Sequence, residues 1–319
     1  MGVLLDFDRY FRNFPKIERE HDFDFFWSNA FSEIKKVTIQ PTVDKGSSFQ
    51  KGAFTVYSIG FRSYAKTIVN GTLYIPEKKS FPRPVVVLHD YAVKDYCKGF
   101  TLDTSFAWLF LELRGHSIVK TIDPDLKRNI EELSPGYLKE NILEPENYYL
   151  KALYLDVLRA VDFLRLFRDN SLDCAHIAMM GKGLGAAAAV FAAANSERIT
   201  ALVLDSLSFC NIPVSQNSAE GVIAEEINDA ASDLRTKKRI VRRNLHYFDA
   251  LNFADRITCP ILAISGIKNR TAPAECIFGF FNIVSSNKLI EIYPDDGYQA
   301  GGEAQFKKTV AWLRRHGGQ

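Results

Sequence analysis

Apolar and polar positions along this chain follow two different periods. Short, nearly continuous apolar runs recur at residues 84–88 (PVVVL), 106–111, 176–180, 199–204 and 260–264, and residues 288–293 read as the last strand. Each is bounded by Pro, Gly, Asp or another polar residue, which is how strands buried on both faces of a parallel sheet read. Between them lie segments with helical spacing. Residues 148–167 place Leu150, Leu153, Tyr154, Val157, Leu158, Val161, Phe163 and Leu164 on one side. Residues 274–284 and 305–315 form two further helices, the last with Phe306, Val310 and Leu313 inward. Residues 53–75 alternate instead, and Asn70-Gly71 inside them reads either as a turn or as continuous strand. Residues 1–40 read as helical, with Phe26, Trp27, Ala30, Phe31 and Ile34 spaced to cap the core.

Strands alternating with helices predict an α/β fold, doubly wound around a mostly parallel sheet. Residues 1–319 are expected to form a single domain, with 1–50 as an N-terminal helical extension or cap. Residues 211–248 read as an inserted, lid-like helical segment. Its basic run, Arg235 to Arg239 with Arg242 and Arg243, is flanked by Glu220, Glu225, Glu226 and Asp233. That pattern reads as a solvated helix face.

Composition removes several classes. With 47% apolar and 24% charged residues, the chain reads as an ordinary soluble globular protein. A net charge of +2 provides no strong pull toward nucleic acid or membrane, so neither is expected as a partner. The first residues, MGVLLDFDRYFRNF, carry acids early and no long apolar run, and Asp6 stands where a myristoylation signal needs Ser or Thr. Five cysteines, Cys97, Cys174, Cys210, Cys259 and Cys276, are scattered without a C-x-x-C. No disulfide framework, metal site or cofactor is expected, and a cytoplasmic location is the default.

The chain is organised around residues 176–191, where an apolar run enters Gly181-Lys182-Gly183-Leu184-Gly185 and then an alanine-rich helix. A strand, a tight glycine turn and a helix form the hub of many α/β enzymes. In G-x-S-x-G the middle residue is the nucleophile; here it is Gly183, which has no side chain to react. The same residues also fit a dinucleotide fingerprint, Gly181-x-Gly183-x-x-Ala186, with Asp205 ending the next strand.

Several segments together resemble the acetyl xylan esterases and cephalosporin C deacetylases, a carbohydrate-esterase branch of the α/β-hydrolases. The resemblance spans nearly the whole chain. The helix around Asp22 to Trp27 resembles the family's N-terminal cap. His89-Asp90-Tyr91 stands where the family has His-Gly-Tyr, and Arg114-Gly115-His116 where it has Arg-Gly-Gln. Ser134-Pro135-Gly136, the helix through Leu164, and Tyr247-Phe248-Asp249 with Asn252-Phe253-Ala254 follow in family order. The family's triad serine, aspartate and histidine fall on Gly183, Asn269 and Tyr298, so all three are replaced. Its oxyanion hole would use the backbone N–H groups of Tyr91 and Leu184. The family also forms hexamers, which makes a homo-oligomer an expectation by resemblance.

Acyl transfer needs a nucleophile, a base touching it and a group that orients the base. Glycine supplies no nucleophile, and a phenol with an ordinary pKa near ~10 is a poor proton acceptor at neutral pH. The leading reading is therefore an esterase-fold protein without catalysis, serving a structural or regulatory role or binding a small ligand such as acetate, an acetylated sugar or another small anion. Lys182, Arg114 and Asp90 are the candidate pocket residues: Lys182 beside a helix N-terminus would favour an anion, although a solvated lysine in a collapsed site is the plainer expectation. Arg114 reads as a structural ion-pair partner. A second reading is a deacetylase with a relocated nucleophile, Ser206, Ser208 or Cys210, served by His89. Dinucleotide binding is the third.

Overall fold

The computed structural model describes residues 3–78, 81–91, 101–115, 136–167, 172–232 and 235–316. Cys97, His116 and the Ser134-Pro135 half of the expected turn lie outside them. Helices α1 (Val3–Phe11) and α2 (Phe23–Lys35) come first, followed by strands β1 (Thr42–Lys51), β2 (Phe54–Arg62) and β3 (Ile68–Pro76). Next are β4 (Arg83–Leu88), β5 (Phe106–Leu111) and the long helix α3 (Tyr149–Leu166). The hub is β6 (Ile177–Lys182) leading into α4 (Leu184–Asn195), and β7 (Ile199–Asp205) follows. The inserted segment folds as α5 (Ile212–Ser218), α6 (Val222–Ala231) and α7 (Arg235–Leu245). The chain closes with β8 (Ile261–Gly266), α8 (Ala274–Ile283), β9 (Lys288–Tyr293) and α9 (Gly302–His316).

The nine strands among the described residues join one sheet in the order β1-β2-β3-β5-β4-β6-β7-β8-β9. The pairings β1–β2, β2–β3 and β3–β5 are antiparallel, and every pairing from β5 through β4 to β9 is parallel. Successive side chains of a strand point to opposite faces, and the central strands are apolar on both. Val86, Leu88, Met179, Leu202 and Leu204 pack into a large core with α2, α3, α4 and α8. Val85, Val87, Met180, Val203 and Ile264 face the other way, onto Phe306, Val310, Trp312 and Leu313 of α9. This is why those segments read as unbroken apolar runs.

One expectation is corrected. Residues 1–50 are not a helical extension throughout: residues 42–51 form β1, paired with β2 at the sheet edge. The sequence there, TVDKGSSFQK, is too polar to show a buried period, and an edge strand needs none. Of the two readings of Asn70-Gly71, the continuous strand holds: both residues stay inside β3, paired with Gly60 and Ile59 of β2.

Helix α2 does act as a cap on the core. Trp27 is buried, with its ring centroid 4.4 Å from Phe191 of α4 and 6.1 Å from Tyr154 of α3. Its Nε1–H donates to the Tyr247 carbonyl at 3.1 Å, while Tyr154 Oη–H donates to the Phe248 carbonyl at 2.7 Å. The segment 247–254 is thus held on two sides. Asp249 is held from within: its carboxylate accepts from the N–H groups of Asn211 (2.8 Å), Ile212 (2.7 Å) and Leu251 (2.9 Å). It ties the start of the inserted segment to the approach to β8.

Truncating Trp27 to Ala should cost about 3–5 kcal/mol of unfolding free energy, measured by urea denaturation, because it removes a buried indole and leaves its packing unfilled. Asp249 generates a pH dependence. Burial pushes its carboxyl up to about 6 from the ordinary 3.8, against the pull of its three N–H donors. The folded chain therefore holds this proton more tightly than the unfolded one between those two values. Stability from this group is highest below the window and falls as pH rises through it, by on the order of 2–3 kcal/mol. Asp249→Asn should flatten that part of the stability profile between pH 4 and 7.

Candidate functional site

At the end of β6 the backbone turns sharply through Gly183, at φ 56° and ψ −120°, before α4 begins. A positive φ of this kind is easy for glycine and strained for other residues. The turn is pressed against β4: a Cβ on Gly185 would run into the carbonyl oxygens of Leu88 and His89. That close approach brings the loop after β4, which carries His89, Asp90 and Tyr91, directly over the turn.

Asp90 fills the space above Gly183. Its Oδ1 accepts from the backbone N–H of Leu184 at 2.7 Å and from that of Tyr91 at 2.7 Å. Its Oδ2 accepts from the hydroxyl of Tyr298 at 2.8 Å. A Cβ built on Gly183 would overlap the Asp90 carboxylate, with Cγ and both oxygens far inside contact distance. Thus the two N–H groups expected to hold a substrate oxygen both point at one carboxylate oxygen of the chain itself. A carboxylate is favoured there because the N-terminus of α4 carries partial positive charge and unpaired donors. Burial pushes the Asp90 carboxyl above its ordinary value, while Leu184 N–H, the Tyr298 hydroxyl, Tyr91 N–H and the Lys182 charge oppose the rise. Asp90 was expected to help bind an anion; its own carboxyl group instead occupies the site.

Lys182 is also reassigned. Its Nζ donates to Asp205 Oδ2 at 2.8 Å and to the Tyr298 carbonyl at 2.8 Å, and lies 4.3 Å from the centre of the Tyr298 ring. Its charge is spent holding Tyr298 and neutralising Asp205, and is not directed at an external anion. Burial raises the Asp205 carboxyl, with Lys182 opposing it. Burial also raises the Tyr298 phenol far beyond the ordinary range, aided by the charges of Asp90 and Asp205. The phenol is a hydrogen-bond donor here and not a base.

Asn269 does not complete a relay. Its Oδ1 accepts from Thr271 N (3.0 Å), Thr271 Oγ1 (2.9 Å) and Ala272 N (3.1 Å), an Asx-type turn within its own loop. Its Nδ2 is buried and has no hydrogen-bond partner among the described residues. Gly183 and Tyr298 are therefore joined through Asp90, while the amide of Asn269 serves its own turn.

The relocated-nucleophile candidates are poorly placed for chemistry. Ser206 Oγ donates to Asp205 Oδ1 at 2.8 Å. Cys210 is fully buried, and burial drives its thiol well above the ordinary value. Ser208 Oγ is buried and has no partner to activate it. Ser208 and Cys210 line a cavity of about 30 Å³ under α5 and α6, with room for about two waters. His89 is not free to serve as a base: Nδ1 lies 2.7 Å from the Asp90 carbonyl and Nε2 accepts from Leu113 N at 3.2 Å. The dinucleotide reading fares no better. The α4 N-terminus, where a pyrophosphate would sit, holds Asp90, and Asp205 is engaged by Lys182.

Arg114 pairs with Asp156 through two hydrogen bonds (2.8 and 2.7 Å) and donates to Thr67 Oγ1 (2.7 Å) and the Tyr64 carbonyl (3.1 Å). Asp156 was not singled out from sequence, although an acid inside the apolar stripe of α3 was a signal. Glu226 was read only as a flanking acid. It is buried and accepts from Tyr91 Oη–H (2.9 Å), Gly136 N–H (3.0 Å) and Leu138 N–H (3.0 Å). The inserted segment thereby grips the residue whose N–H faces Asp90. Among the described residues, no cluster of His, Cys, Asp and Glu could hold a metal ion, and no helix is long and apolar enough to cross a membrane.

The acetyl xylan esterase family profile matches residues 5–316 of this chain. The acetyl esterase Axe7A of Xylanibacter ruminicola is 24% identical over 310 residues, covering 94% of this chain and 68% of that protein. Among solved structures, the acetyl xylan esterase from Paenibacillus sp. R4 superposes with a TM-score of 0.83 at 24% identity, over 97% of this chain and 99% of that one. Acetyl xylan esterase 1 from Thermoanaerobacterium sp. JW/SL YS485 gives 0.79 at 18% identity, over 96% and 98%. These structures share the α/β-hydrolase fold with this chain.

Gly183→Ala should destabilise the chain by about 3 kcal/mol, from the left-handed backbone and the collision with Asp90. In the Asp90→Gly background the same change should cost about 1–2 kcal/mol less, because the collision is gone. A double-mutant cycle by urea denaturation measures the difference.

Proposed function

We propose that this chain, which belongs to the acetyl xylan esterase family, keeps the esterase scaffold without its hydrolysis and serves a structural or regulatory role. One observation carries the reading: the Asp90 carboxylate lies over Gly183 and takes both backbone donors of the former oxyanion hole. Loss of a triad nucleophile by itself costs on the order of a million-fold in turnover. The remainder, roughly 10³–10⁴ over water, comes from the oxyanion hole and substrate binding. Here both donors of the hole are already taken by a side chain of the chain itself. A substrate carbonyl would have to displace it before an oxyanion could form there. That cost takes the chain below what nucleophile loss alone leaves.

The surrounding residues favour the same reading. Four of the groups around the turn are committed elsewhere: Lys182 to Asp205, Tyr298 to Asp90, the Asn269 Oδ1 to its own turn, and His89 to backbone on both nitrogens. A carbohydrate or small-ester deacetylase would need at least one of these partnerships to break before its first proton transfer.

Purified wild-type chain is expected to hydrolyse p-nitrophenyl acetate and acetylated xylo-oligosaccharides no faster than buffer. Gly183→Ser alone should stay silent, because its hydroxyl meets Asp90. Adding Asp90→Gly, Asn269→Asp and Tyr298→His should raise turnover above that of the single variant. Saturable turnover by the wild-type chain, lost on substituting Ser206, Ser208 or Cys210, would overturn the reading.

A further inference from the structure

We infer that the outer face of α7 is a docking surface for a short acidic protein segment whose carboxylates are spaced to match the cations of the helix. The face shares no residue with the site at Gly183, and the inference does not rest on the proposed function. Residues 235–243, RTKKRIVRR, hold six cations in nine residues. The remaining 34 Lys and Arg stand against 38 Asp and Glu, so the rest of the molecule carries a net charge of −4.

Packing fixes which way these charges point. Val241, Asn244 and Leu245 are buried, and Asn244 Nδ2–H donates to the Ile142 carbonyl at 3.0 Å, which sets the roll of the helix. Lys238, Arg239, Arg242 and Arg243 are exposed. They stand in two i, i+4 columns, Lys238–Arg242 and Arg239–Arg243, with about 5–6 Å between neighbours in a column. The acids that flank the run in sequence do not neutralise it. Glu220 pairs with Arg270, Asp229 with Lys139 at 3.7 Å, and Glu226 is buried against Tyr91 and two backbone N–H groups. Asp233 lies outside the described residues. Among the described residues, none of the four exposed cations forms an ion pair.

Helix stability does not account for this arrangement. Like charges at i, i+4 destabilise a helix. The first turn holds Arg235, Lys237 and Lys238 and no acid, the wrong sign for the positive end of the helix dipole. Local rules broken twice in one element point to a function served by the breach.

The bounds of the patch select the partner. The helix makes a strip about 16 Å long. Among the described residues it carries no exposed large apolar side chain, so it offers bases no stacking surface and a bilayer nothing to insert. A long polyanion would run past the strip over a body of net negative charge and be repelled there. A short helix with Glu or Asp at i, i+4 presents carboxylates at the same spacing. Three of the four exposed cations are Arg, whose fork binds a carboxylate through two parallel hydrogen bonds.

A fluorescent helical peptide of about 15–20 residues, with Glu at i, i+4 along one face, should bind saturably, one per chain, by fluorescence anisotropy. Binding should weaken as salt rises. Arg239→Glu with Arg242→Glu should weaken it at least about tenfold. Lys35→Glu with Lys36→Glu, the same charge change on exposed residues of α2, should alter it less than about twofold. A peptide of equal composition with its Glu residues dispersed around the helix should bind about fivefold more weakly. Should the α7 variant fail to fold, amide NMR of the wild-type chain decides: peptide-induced shifts centred on residues 237–245 support the inference, and shifts centred elsewhere overturn it. Absence of saturable binding, equal loss in the two charge-reversed variants, or tighter binding of a short DNA duplex or of phosphatidylserine vesicles than of the peptide would also overturn it.

Discussion

A carboxylate held by two backbone N–H groups over a residue without a side chain sets the arrangement of this site. The Asp90–Leu184 bond joins the end of β4 to the start of α4 across the glycine turn, and the Asp90–Tyr91 bond fixes the same carboxyl within its own loop. An ionised acid buried alone would be costly. This one is offset by the N-terminus of α4, by the Tyr298 hydroxyl and by the nearby Lys182 charge. The geometry closes only because Gly183 has no Cβ. The bare glycine and the acid above it are thus two halves of one packing solution.

The same principle recurs around the carboxyl ends of the strands. Asp205 is matched by Lys182, Asp156 by Arg114, Asp249 by three N–H groups, and Glu226 by Tyr91 and two further N–H groups. Buried acids with specific partners in a cleft are often catalytic. Here each acid is met by a cation or by hydrogen-bond donors of the chain itself. A perturbed carboxyl can mark a lock as well as a reaction centre, and the partner's freedom distinguishes the two.

These locks also connect parts that are distant in sequence. Glu226 lies on the inserted helix α6, yet it fixes Tyr91 beside β4. Asp249 closes the inserted segment by holding the N–H groups that open α5. Lys182 at the end of β6 holds Tyr298 beyond β9. In a hydrolase, the loops over the strand ends must admit a substrate and move protons between side chains. Here they are fastened to one another through charged hydrogen bonds, which are among the stronger noncovalent links available.

Much of the fold was legible in the chain itself. Unbroken apolar runs at β4, β5, β6, β7 and β8 marked strands covered on both faces, because burial on two sides leaves no polar alternation to find. The glycine turn and the resemblance around it singled out Gly183, Asn269 and Tyr298, and Gly183 carries no side chain at the bend. What the sequence could not reveal was direction. His89-Asp90-Tyr91 announced an acid where its relatives carry glycine, but the orientation of that carboxylate depends on the space left by a residue 93 positions later. The pairing of Lys182 with Asp205, the local turn of Asn269 and the grip of Glu226 on Tyr91 likewise depend on side-chain reach between segments far apart in sequence. Periodicity records which face of an element is buried; which charge meets which donor is settled only when the elements are packed together.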